Sequence, residues 1–299
     1  MELETLVLEN EWIRLLCYPR IGGKIASILF KPQSQELLWQ SQDGYRIPFY
    51  GAPFSDFDKS GMDECFPMID AETLEWNGKT YLLPDHGELW CQGWEMTKDS
   101  NSIFGKVNGK IWNYSFERKI SLIGQTIRFD YTIHNHENFA IPGFWTFHPL
   151  FMAEESATIE WPGSHEIELA HPDKDLGKQG DKLPFPIGSK GEQLNRIRPF
   201  SSQTTRKFYH AGRYPTGAAT LTREGLKVEM KWDSEQIPFV GLWLNEGGYE
   251  QGYNVAIEPS TGYYDTIGLA LKNKSIQPIA AHQRISFWLE LKIIPTKNL

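Results

Sequence analysis

The chain has 299 residues, is 40% hydrophobic and 13% aromatic with 11 tryptophans, and carries a formal net charge of −8. That balance excludes the basic footprint needed for nucleic acid or an anionic membrane surface, and no apolar run approaches the ~20 residues of a spanning helix. Three cysteines without paired spacing (Cys17, Cys65, Cys91) and an acidic N-terminus lacking an apolar signal core lead us to expect a cytoplasmic protein in a reducing compartment.

Extended segments dominate the predicted elements. In chain order they are Trp12–Tyr18, Lys24–Phe30, Ile103–Val107, Ile111–Ile120, Gln125–His134, Ala157–Trp161, Gly217–Thr222, Lys227–Trp232, Phe239–Trp243, Tyr253–Ile257 and Ile285–Ile293. In Ile127-Arg-Phe-Asp-Tyr-Thr-Ile133 the apolar residues fall at every second position, the period of a strand with one wet face. Turn signals separate the segments: Gly22-Gly23, Asn77-Gly78, Asn108-Gly109 and Gly247-Gly248. Asn77-Gly78, between Thr73–Trp76 and Lys79–Leu82, predicts a hairpin. The polar stretch Leu169–Ser189, rich in Pro, Gly and Asp, reads as a long surface loop or lid. No long segment sustains a 3.6-residue period and no composition break divides the chain. The expectation is an all-β protein, one large antiparallel β-sandwich domain spanning 1–299.

Several residues stand out chemically. Glu258 ends an apolar strand, Asn254-Val-Ala-Ile-Glu258, and is followed at once by Pro259, a placement that strands disfavour. His148, in Phe144-Trp-Thr-Phe-His148-Pro149, lies within an aromatic strand and shares a face with Phe144, Thr146 and Leu150. It is either a satisfied core histidine or a titrating group at a sheet face; an unperturbed imidazole titrates near ~6.5, which suits proton transfer. His86, in Pro84-Asp-His86-Gly87, is either a surface turn histidine or a loop residue brought close to a ligand by its glycine. The acidic pair Asp63-Glu64 can bind hydroxyls or form structural ion pairs. Trp243 can stack on the C–H face of a sugar or fill the core. His134-Asn-His136 has the spacing of two metal ligands on one strand face, but no third ligand is apparent, and a solvated strand end is the better reading. There is no Gly-x-Ser-x-Gly elbow and no glycine-rich dinucleotide fingerprint.

Taken in order, these residues resemble the aldose 1-epimerase (mutarotase) family of galactose mutarotase-like proteins. The resemblance runs through Gly22-Gly-Lys-Ile-Ala-Ser-Ile28, Glu36-Leu-Leu-Trp39, Leu83-Pro-Asp-His86-Gly87, Asn135 and Pro142, Phe147-His148-Pro149-Leu-Phe151, Ala256-Ile-Glu258-Pro259-Ser-Thr-Gly262 and the strand after Ala281-His-Gln-Arg284. It covers nearly the whole chain. It implies a large β-sandwich with a sugar cleft on a concave sheet, and interconversion of the α and β anomers of a free aldose without cofactor or metal. Glu258 would be the catalytic base, His148 the general acid, and His86 a second histidine near the ring oxygen or anomeric hydroxyl. Glu258 would rest ionised and His148 protonated, each charge favouring the other.

The chain departs from the pattern in two places. Asp63-Glu64 stands where such enzymes often carry an Asn-Arg pair, and Asp173, Asp175 and Asp181 do not match the family's hydroxyl-binding aspartate. A sugar phosphate would call for an arginine cluster, which is not readable in the sequence although Arg20, Arg46 and Arg213 are available, and the acidic pair argues against a phosphate nearby. Two other readings remain: a non-catalytic sugar-binding or regulatory protein on the same fold, and a glycoside-cleaving enzyme using Glu258 with Asp63.

Overall fold

Alternation of apolar and polar side chains makes most of the chain extended. The structure, a computed structural model, describes residues 3–40, 42–155, 157–163, 165–171 and 175–296. Its strands are β1 (Leu6–Glu9), β2 (Ile13–Tyr18), β3 (Lys24–Phe30), β4 (Gln35–Glu36), β5 (Met62–Cys65), β6 (Glu72–Trp76), β7 (Lys79–Leu83), β8 (Glu95–Lys98), β9 (Ser102–Asn108), β10 (Tyr114–Ile123) and β11 (Thr126–Asn135). They continue as β12 (Thr146–Pro149), β13 (Phe151–Met152), β14 (Thr158–Glu160), β15 (His165–Leu169), β16 (Lys182–Phe185), β17 (Thr204–His210), β18 (Ala218–Arg223), β19 (Leu226–Trp232), β20 (Phe239–Glu246), β21 (Tyr253–Ser260) and β22 (Arg284–Pro295). Among the described residues one short α-helix, α1 (Ile267–Lys272), and three single-turn 3-10 helices interrupt them. No helix among the described residues is long and apolar enough to cross a membrane.

Two sheets form the body. The larger, of 12 strands, runs β1-β2-β3-β5-β12-β21-β20-β17-β15-β16, with β4 on β3 and β13 on β21. The smaller, of 8 strands, runs β14-β18-β19-β22-β11-β10-β9-β8, and β6 and β7 form a separate hairpin. That hairpin turns at Asn77 (φ 50°) and Gly78 (φ 72°), as predicted. The inner faces of both sheets share one apolar core, to which β21 gives Val255 and Ile257 and β11 gives Phe129 and Ile133. The expected antiparallel sandwich is therefore observed.

The predicted strands are present, most within one to three residues of their expected ends; β20 and β21 run on past theirs. The stretch read as a long loop, Leu169–Ser189, is corrected in part, because Lys182–Phe185 forms β16 against β15. Pro184 disguised it in sequence; β16 is the outermost strand of its sheet, where proline is tolerated.

Glu64 is turned into this core, where the expectation had given it a sugar. Neighbouring residues of a strand face opposite ways, so Asp63 shares His148's face while Glu64 pairs with Phe147 and faces inward. Its carboxylate, fully buried, accepts hydrogen bonds from Arg118 Nη1 (3.0 Å), Tyr131 Oη (3.0 Å) and Trp145 Nε1 (2.7 Å). Arg118 belongs to β10 and Tyr131 to β11, so the group ties the two sheets together. Glu64 is a structural residue, correcting its expected hydroxyl-binding role.

Candidate functional site

The outward face of the larger sheet carries a row of polar side chains across neighbouring strands. His148 on β12 pairs in register with Asp63 on β5. Thr146 pairs with Ser260, which puts Glu258 on the same face as His148. Glu258 is opposite Gly241 on β20, and Gly241 is opposite Tyr209 on β17. Above this row opens a cleft of about 500 Å³, walled by residues from the 39–43, 54–59, 85–86 and 249–252 segments. Glu258, His148, His86 and Trp243 all line it, so the structure brings together all three of the expected catalytic residues and one of the expected binding residues.

Glu258 is 1% exposed, and among the described residues neither carboxylate oxygen has a hydrogen-bond partner. His148 Nε2 lies 3.8 Å from Oε1 and Lys207 Nζ lies 3.6 Å from Oε2, ion-pair separations rather than hydrogen bonds. Buried carboxylates are almost always paired. Burial pushes Glu258 above the ordinary carboxylate range, against the opposing pull of Lys207. Lys207 itself stays charged: burial works against it, but Asp265 (2.7 Å) and Glu258 hold its ammonium above the ordinary value. Tyr209 also donates to Asp265. Gly241 provides the room, since a Cβ there would meet Glu258 Oε2 at 3.1 Å and the Tyr209 ring at 2.9 Å.

His148 is buried, its Nδ1 has no partner among the described residues, and its ring lies edge-on to His86 with centroids 5.2 Å apart. Burial, reinforced by His86, Lys207 and Lys24, holds its pKa well below the ordinary 6.5. Burial thus works against the charged imidazole that the expectation assigned to His148. Glu258, 3.8 Å away, favours the charged form of His148, but burial disfavours its own anion in turn.

His86 sits in a left-handed turn (φ 58°) and stacks on Phe54 at 4.0 Å. Its Nδ1 is 2.7 Å from Asp85 Oδ1, and Asp85 Oδ2 accepts from the Phe54 backbone N–H (2.9 Å). Asp85 thus fixes the ring and leaves Nε2 for a ligand. The glycine after His86 acts differently from the expectation: a Cβ on Gly87 would strike Phe66 O at 2.2 Å. Its bare backbone lets the histidine turn pack on the sheet rather than on a ligand.

Asp63 does not reach the cleft. It lies beneath, 1% exposed, with Oδ2 against the ammonium of Lys24 (2.5 Å), which also meets Asp58 at 3.0 Å. Its expected contact with substrate is replaced by this ion cluster, of which Asp58 alone faces the cleft. Because it does not line the cleft that Glu258 lines, Asp63 is also out of reach as the second carboxylate of a glycoside-cleaving pair. Asp173 lies outside the described residues, and Asp175, Asp181, Arg20, Arg46 and Arg213 do not line the cleft. Among the described residues no group of three or more His, Cys, Asp or Glu is arranged for a metal ion. His134 and His136 have ring centroids 4.1 Å apart, and His136 Nε2 is hydrogen-bonded to Ser115.

The sequence reading missed Lys207, Lys24, Asp58, Asp265 and Asn254. Lys207 lies in Thr204–His210, a segment whose central Arg-Lys pair looks like a solvated turn. Both cations are buried instead, Arg206 against Glu246 and Lys207 against Asp265.

No family model and no curated protein matches the sequence. Solved structures do. A protein from Synechocystis sp. PCC 6803 has 18% identity and a TM-score of 0.76, covering 99% of this chain and 97% of that one. A galactose mutarotase related enzyme from Lactobacillus acidophilus has 13% identity and a TM-score of 0.75, covering 99% of both chains. A galactose mutarotase-like protein from Lactobacillus casei has 15% identity and a TM-score of 0.71, covering 97% of this chain and 100% of that one. At these identities the likeness is one of fold: this chain has the galactose mutarotase-like sandwich.

Proposed function

We propose that the chain is an aldose 1-epimerase-like isomerase that opens and recloses the ring of a sugar bound in the cleft. The observation that carries this reading is the buried Glu258 carboxylate, without a hydrogen bond and 3.8 Å from His148 Nε2 at the cleft floor. A protein built only to bind sugars gains nothing from a buried carboxylate that lacks a hydrogen bond and faces an imidazole; a proton-transfer site does.

Ring opening takes a proton from the C1 hydroxyl and gives one to the ring oxygen. Glu258 accepts the first and His148 supplies the second. His86, oriented by Asp85, holds the sugar between them. Rotation about the C1–C2 bond and closure on the other carbonyl face reverse both transfers. The pair thus works with one shared proton. Burial favours the proton on Glu258 with His148 neutral, which is the state that accompanies the open-chain aldehyde. The same burial makes the charged form of each group more reactive, Glu258⁻ as a base and His148⁺ as an acid. Lys207 restrains Glu258 from drifting wholly to its neutral form.

The test is polarimetry on freshly dissolved sugars. Wild type accelerates anomer equilibration, and Glu258→Gln or His148→Asn each loses ~10²–10⁴-fold with an unchanged circular dichroism spectrum. A wild-type protein that accelerates no aldose but shows sugar-dependent thermal shifts would replace this reading with the binding protein.

A further inference from the structure

The cleft is longer than one sugar. Its floor comprises three successive rows of side chains across the larger sheet. The first holds His148 and Glu258. The second, two residues along each strand, is apolar. Ala256 pairs with Trp243 on one side, and the Phe151–Val255 pairing sets Leu150 beside it on the other. Trp39 follows, its backbone N–H bonded to Leu150 O at 2.7 Å. The third row is Asn254 opposite Asn245. Trp39, Leu150, Trp243, Asn245 and Asn254 all line the same cleft as Glu258.

The rows are spaced by the strand. At ~3.3 Å per residue, Asn254 lies roughly 13 Å from Glu258 and the Trp243 row roughly half as far. A pyranose built from single bonds of ~1.5 Å measures only about 5–6 Å between O1 and O4. Even at the ~30 Å³ share of a liquid water for each of its dozen non-hydrogen atoms it fills no more than about 360 Å³, against a cleft of about 500 Å³. A monosaccharide with its anomeric carbon at Glu258 therefore leaves the third row empty. That row is not self-satisfied. Asn245 is spent on the backbone of Tyr249, donating to its O (2.8 Å) and accepting from its N (3.0 Å). Asn254, 4% exposed, keeps a buried Oδ1 with no partner among the described residues, the same unmet condition that marks Glu258.

We propose that the substrate is a reducing disaccharide or longer saccharide with an uncharged second sugar. Its free reducing end lies at Glu258 and His148, its second ring packs on the Trp243–Ala256–Leu150 floor between the two indoles, and a hydroxyl of that ring donates to Asn254 Oδ1. The two lysines lining the cleft already face carboxylates, Lys59 with Glu250 (3.5 Å) and Lys207 with Asp265 (2.7 Å) and Glu258 (3.6 Å), which matches a ligand without phosphate. This rests on the isomerase reading for its first sugar only.

The test compares kcat/KM for mutarotation of maltose, cellobiose and lactose with that for glucose and galactose, alongside calorimetric binding of the same sugars. At least one disaccharide is expected to exceed its monosaccharide tenfold or more. Asn254→Leu and Trp243→Ala are expected to cut that ratio at least fivefold. A ratio near one in the wild type, or one unmoved by both variants, overturns the proposal. If no sugar is accelerated, the isomerase reading fails and calorimetry decides this one: tenfold tighter binding of a disaccharide supports it, and equal or absent binding overturns it.

Discussion

At the residue scale, the cleft is governed by charges that have lost their water. Lys24 and Lys207 keep theirs because carboxylates surround them; Glu258 and His148 are left less well matched. This has a consequence for stability. His148 has a folded pKa well below its unfolded value of about 6.5, so its contribution is complete above that value and is lost as pH falls through the folded value. Glu258, raised, works in the opposite sense: its contribution is complete below the unfolded carboxylate value and is lost as pH rises through the folded one. His148→Asn removes the first effect and leaves the second. Its thermal midpoint should fall less than that of the wild type between pH 7 and pH 5, measured by scanning calorimetry. A parallel fall in both proteins would mean that folding does not shift His148's titration.

At the scale of elements, the site depends on strand register more than on loops. Glu258 lies over β20 because residue 241 has no side chain. In Gly241→Ala the new methyl meets the carboxylate and the Tyr209 ring, and the displaced base should cost roughly 10- to 100-fold in kcat, read by polarimetry with an unchanged far-UV spectrum. Alternation shows which parts of this were legible beforehand. Glu258 and His148 could be read because each broke the apolar pattern of its own strand. The direction of Glu64 could not, because β5 is only four residues long (Met62–Cys65) and its neighbours are Gly, Ser and Pro. Nor could Lys207: its importance comes from a pairing with β20 and from Asp265, 58 residues away, and neither leaves a local trace.

At the scale of the whole molecule, the two sheets are joined by apolar packing and by the buried ionic group of Glu64 with Arg118. Arg118 also donates to Gly23 O and lies over the Trp94 ring at 4.8 Å. Glu64→Ala would strand that guanidinium in the core, and breaking a buried pair costs ~3–5 kcal/mol. Urea denaturation should show the loss, while activity per folded molecule stays at the wild-type level because Glu64 does not face the cleft. The sheet that carries the cleft is open at both ends, with β1 at one border and β16 at the other. An open border is a row of unused backbone groups on which another chain can align. Pro184 gives β16 a position with no N–H to offer, just after the charged residues Asp181 and Lys182. The residue that hid this strand from the sequence reading thus doubles as a guard against self-association: Pro184→Val should leave the cleft intact yet raise light scattering in concentrated solution.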